Sequence, residues 1–78
     1  MNVGDRIIYL DENDGTSRWA GLVVRPAVES GPQFADVVFF TVPGSRIDAD
    51  SKGVCFVAGA EQTGQNGQPM DRGTFALL

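Results

Sequence analysis

Histidine is missing from the 78 residues, cysteine occurs once, at Cys55, and Lys52 is the only lysine. Without histidine the chain lacks the usual proton-transfer base near neutral pH. One thiol makes no internal disulfide, and with no imidazole beside it a zinc site within a single chain is excluded. Ten acids against six bases leave a net charge of −4. That is too few bases for the positive face of a dedicated nucleic-acid binder. No apolar run reaches the length of a membrane helix. The opening Met1-Asn2-Val3-Gly4-Asp5 lacks both the basic region and the apolar run of a signal peptide, so export by that route is not expected.

What is present is dense punctuation: ten glycines and four prolines between short apolar runs. The runs cover residues 3–10, 18–25, 34–42, 53–58 and 74–78. Asp14-Gly15, Pro26, Ser30-Gly31-Pro32 and Pro43-Gly44 mark the breaks, and residues 59–73 read as a long polar loop. The third run is the richest in β-branched and aromatic residues. No helical period exceeds about a turn, although Pro26 could open a short helix over residues 26–30. Five short strands predict one all-β domain over residues 1–78: a small, partly open, five-stranded SH3-like barrel. A five-stranded OB barrel is the nearest competitor, but the connection over residues 43–52 is too short and too broken for its usual helix.

The two-residue period sorts the strand faces. In the second run Ala20, Leu22 and Val24 share one face, and Trp19, Gly21, Val23 and Arg25 share the other. In the third run both faces are apolar, with Val38, Phe40 and Val42 opposite Ala35, Val37 and Phe39. A small barrel has one inside, so such a strand needs cover on its outer side. The candidates are the loop over residues 59–73 and a partner chain, with simple tolerated exposure as the third reading. With Leu22 taken as inward, Trp19, Val23 and Arg25 stand outside, beside Val37 and Phe39 of the next strand. These five are the predicted partner-binding residues, since indole and guanidinium groups are frequent interface anchors. The competing reading has Trp19 capping the barrel or packing under a loop.

Catalytic and metal chemistry find little to use. Cys55 lies in an apolar strand with no cation or helix N-terminus to activate it, and reads as a buried, unreactive side chain. The acid pairs Asp11/Asp14 and Asp48/Asp50 fall in turn-rich segments, where aspartate serves turn geometry. The stretch from Asp48 begins like a calcium loop, but a lysine at its fifth position and Gly59 in place of the bidentate glutamate defeat it. No glycine-rich turn opens a helix for phosphate. No catalytic residue, cofactor or metal ligand is predicted.

Val3-Gly4-Asp5-Arg6-Ile7, followed by Ala20-Gly21-Leu22-Val23-Val24, has the opening pattern of many SH3-like barrels, among them KOW and Tudor-type modules. Over most of its length the chain resembles small proteins of unknown function encoded by tailed bacteriophages. The stretches that carry the resemblance are residues 4–9, 20–24, 37–40 and Gly73-Thr74-Phe75, with Phe75 where an indole is common. The resemblance implies a phage source and a barrel, and carries no catalytic residues. Together these readings predict a non-enzymatic phage accessory protein, placed in the host cytoplasm or the virion. It would work by contact with another protein chain, either a second copy or a larger phage protein, as a capsid-associated, decoration or assembly component. The alternatives are a small acidic inhibitor of bacterial antiviral defence, and a nucleic-acid-binding SH3-like module built on Trp19, Arg18 and Arg25.

Overall fold

Alternation of apolar residues along Arg6–Leu10 and Phe34–Phe40 places Ile7, Tyr9, Ala35, Val37 and Phe39 on inward faces, and all five are buried. The computed structural model describes residues 1–26 and 28–78, with Val28 by its backbone. Its strands are β1 (Arg6–Leu10), β2 (Arg18–Pro26), β3 (Phe34–Phe40), β4 (Val54–Gln62) and β5 (Thr74–Leu77). They close in the order β1-β2-β3-β4-β5, an all-β small barrel of the SH3-like kind. Short 3-10 turns at Val28–Ser30 and Arg46–Asp48 are the only helical elements among the described residues. The first falls within the short helix predicted over residues 26–30, of which Ala27 lies outside the described residues.

Neighbours from β1 to β4 are antiparallel. Strand β5 returns antiparallel to β1, pairing Ile7 with Leu77, Ile8 with Ala76 and Tyr9 with Phe75. Closure of the ring rests on two parallel pairs between β4 and β5, Glu61 with Thr74 and Gln62 with Phe75. The barrel is therefore closed, where the sequence predicts a partly open one, but its last seam is short.

At the centre the rings of Tyr9 and Phe39 stack with centroids 4.2 Å apart and planes 10° from parallel. Ile7, Val23, Val37 and Phe75 pack around them. Each large apolar side chain removed from water here contributes roughly 1.5–3 kcal/mol. Gly21 lies opposite Phe39, and a methyl group there would run into the Val38 carbonyl oxygen and the Phe39 backbone. Only glycine lets β2 and β3 approach this closely.

Two irregularities re-aim side chains. The β2–β3 register shifts between Val23 and Arg25, so Val23 points in while Arg25 points out. On β4, Ala58 and Gly59 together oppose Asp36, with Gly59 at φ +65°. Gly59 thus serves as a bulge rather than a break, and β4 runs to Gln62 instead of stopping at residue 58.

Candidate functional site

The face assignment on β2 is the reverse of the predicted one. Val23 is 1% exposed, Val37 and Phe39 are 0% exposed, and Trp19 is half-buried against the core. Leu22 lies half-exposed on the outer face, paired with Val38. Of the five residues predicted to meet a partner, only Arg25 is on the surface. The physical reason is Gly21: it marks the face that presses on the β3 backbone, and Trp19 and Val23 share that face.

Arg25 is held rather than free. Its Nε donates to Asp36 Oδ2 at 3.0 Å and its terminal nitrogen to the same oxygen at 2.8 Å. Asp36 Oδ1 accepts the Gly59 N–H at 2.8 Å. The Gly59 N–H, with help from the guanidinium, holds the Asp36 carboxyl below the usual carboxylate range. The pair pins the bulge where β3 meets β4.

Trp19 closes the β1–β2 loop, its indole N–H donating to Asp11 Oδ2 at 3.0 Å. Asp11 Oδ1 accepts the Asn13 N–H, and Asp14 accepts the N–H groups of Thr16 and Ser17. Asp48 accepts from Lys52 N–H, Gly53 N–H and the Thr41 hydroxyl at 3.0, 2.7 and 2.9 Å. Asp11, Asp14 and Asp48 thus do the turn work predicted for them.

Cys55 is half-buried rather than fully buried. Its thiol donates to the Ile47 carbonyl at 3.3 Å, and burial, seconded by Asp48, pushes its pKa up. A thiol in that state is a poor nucleophile. Among the described residues no cluster of three or more potential metal ligands occurs, and no helix is long and apolar enough to cross a membrane.

The surface that stands out is the outer side of β3 and β4. Phe40, Phe56 and Val42 are 57%, 59% and 61% exposed, and Val54 lies beside them. The ladder pairs Phe40 with Val54 and Val38 with Phe56, so the side chains form adjoining rows. The loop after β4 does not cover them. Thr63 N–H and Gly67 N–H donate to the Phe75 and Leu77 carbonyls, and Gly73 N–H donates to the Leu10 carbonyl. Those bonds lay the loop over β5 and β1. A doubly apolar third strand is thus present as predicted, with Ala35, Val37 and Phe39 as its inner face. Phe56 and Val54 escaped the sequence reading, because only the β3–β4 register brings them to Val38 and Phe40.

Comparison of the chain with protein-family models, curated proteins and solved structures finds no match.

Proposed function

We propose that this chain is a non-enzymatic protein-binding barrel that docks through the outer face of β3 and β4. Its setting is a tailed bacteriophage, where it is a minor capsid-associated or assembly component that works in the host cytoplasm or the virion. The partner is another protein chain, a second copy or a larger phage protein. What supports the docking reading is the pair of half-exposed phenylalanines, Phe40 and Phe56, in adjoining ladder rows with Val54 and Val38. Apolar side chains grouped this way on a small barrel have a cost in water that a partner removes. The phage setting rests on the sequence resemblance alone.

The test is a double variant, Phe40→Ser with Phe56→Ser. Both rings face outward, so the thermal midpoint should hardly move. Association, read by sedimentation of the protein alone and by co-purification with particles, should weaken by about 2 kcal/mol or more if these are the anchors. Mass spectrometry of purified particles decides the setting: a fixed copy number supports a virion component, and absence from particles overturns it.

A further inference from the structure

The short seam between β4 and β5 leaves most of β4 without a neighbour on the side away from β3. Thr41 N–H donates to the Gly53 carbonyl at 3.0 Å, which sets the phase of the β3–β4 ladder. Gly53, Cys55 and Val57 therefore turn their main-chain groups toward β3, and Val54 and Phe56 turn theirs away from it. On that side β5 reaches only Glu61 and Gln62. Among the described residues β3 is the only strand in register with Val54 and Phe56, and no hydrogen bond from a loop or side chain reaches their backbone N–H or C=O.

The side chains report the same opening. Cys55 and Val57 point into the barrel, yet both are only half-buried, while their β3 partners Phe39 and Val37 are fully buried. Beside them lies a groove of about 290 Å³, lined by the β4 edge together with Glu12, Ile47 and Asp50. Its rim is acidic. Glu12 and Asp50 are exposed carboxylates facing one base, Lys52, while Asp48 is occupied by its own turn. Burial, together with the Glu12 and Asp11 charges, pushes the nearby Tyr9 hydroxyl up to about 12, which fits a negative field at this mouth.

We propose that this seam receives an extended, basic peptide segment of a partner protein, which adds as a sixth strand beside β4. Its main chain pairs with Val54 and Phe56, alternate apolar side chains cover Cys55 and Val57, and a lysine or arginine meets Glu12 and Asp50. Strand addition to an exposed edge draws its affinity from main-chain bonds and its selectivity from the alternate pockets. A groove of about 290 Å³ has room for a bare segment rather than for the edge of a second barrel backed by its own β3. The two sites share Val54 and Phe56 but use different parts of them, the outer face their side chains and the seam their main chain, so loss of the rings and loss of the edge can be told apart.

The probe is a capped peptide of about six alternating threonine and valine residues, made with a terminal lysine and again with a terminal glutamate. Heteronuclear NMR should show the Val54 and Phe56 amides shifting on titration and their hydrogen exchange slowing about tenfold or more. The lysine form should bind at least about threefold tighter than the glutamate form, and Glu12→Gln should narrow that gap. Phe56→Ala keeps the N–H and should keep binding. Phe56→Pro loses the N–H on the side away from β3 and should abolish it. Absence of shifts at millimolar peptide, or shifts confined to Phe40 and Val42, would overturn the proposal. So would a peptide-free dimer in which Val54 and Phe56 are already protected. Should Phe56→Pro not fold, exchange in the unaltered protein decides: Val54 and Phe56 amides as slow as that of Val38 mean a seam already closed.

Discussion

The indole of Trp19 donates to the carboxylate of Asp11 across the β1–β2 loop, at 3.0 Å. The contact binds the first residue after β1 to the second residue of β2, and Trp19 pairs with Tyr9 on the ladder itself. Asp11 is buried, so its oxygen depends on that donor. Trp19 is thus a structural clasp, and its removal is expected to register in stability before it registers in binding.

Trp19→Ala should cost about 2–4 kcal/mol, toward the low side of the range for large aromatic truncations because the ring is half-buried. Leu22→Ala, on the outer face, should cost less, about 1–2 kcal/mol. Urea denaturation of both variants checks the order. A larger loss for Leu22→Ala would return Trp19 to the surface.

Gly21→Ala is expected to be among the most damaging single changes in the chain. The added methyl group meets the Val38 carbonyl and the Phe39 backbone, which are ladder atoms and not movable side-chain ends. Overpacking of this kind costs about 3 kcal/mol or more. Thermal unfolding followed by circular dichroism should show a large fall in midpoint. Gly4→Ala is the comparison: nothing lies within 4 Å of its added methyl, and its cost is confined to backbone strain at φ +88°.

Stability should fall away at both extremes of pH. The Ser17 hydroxyl, with the Ser17 and Thr16 N–H groups, lowers Asp14 to about 2. Asp36 is also lowered. At Asp48 burial opposes ionisation, but the N–H groups of Gly53 and Lys52 and the Thr41 hydroxyl prevail. A carboxyl depressed in the folded state stabilises it fully above its unfolded pKa and loses that contribution as pH falls through the folded value. The urea midpoint should therefore hold above about pH 5 and drop between about pH 4 and 2. Tyr9, raised to about 12, works in the other direction. Its contribution is complete below about pH 10 and is lost as pH rises through 12. A midpoint that does not move between pH 5 and 2 would dissociate these carboxylates from stability.

Cys55 should react slowly with a thiol reagent at neutral pH, because burial raises its pKa. The rate should climb about tenfold per pH unit up to and beyond the ordinary cysteine range. Cys55→Ser should cost about 1 kcal/mol, since the hydroxyl can take over the bond to the Ile47 carbonyl. Rapid labelling at pH 7 would place the thiol in an activating environment.

Strand number, strand class and the turns were legible in the chain because their causes are local. Asp14-Gly15 and Pro43-Gly44 punctuate, and a run such as Phe34–Phe40 suits a pleated surface and little else. The doubly apolar third strand was equally visible, since a two-residue period is a property of sequence. Which face points inward was not. In a strand apolar on both sides, periodicity cannot choose, and the choice was made by Gly21 pressing on the β3 backbone. Arg25 parted from Trp19 and Val23 because a bulge shifts the register by one residue, and a bulge depends on pairing with another strand. Strand β4 outran its apolar segment for a similar reason, with the Asp36 carboxylate receiving Gly59 in place of a regular ladder bond. The unpaired edge at Val54 and Phe56 was least legible of all, since an edge exists only through the strand that fails to arrive. Local chemistry decided what each segment became; contacts between segments distant in the chain decided what each one faced.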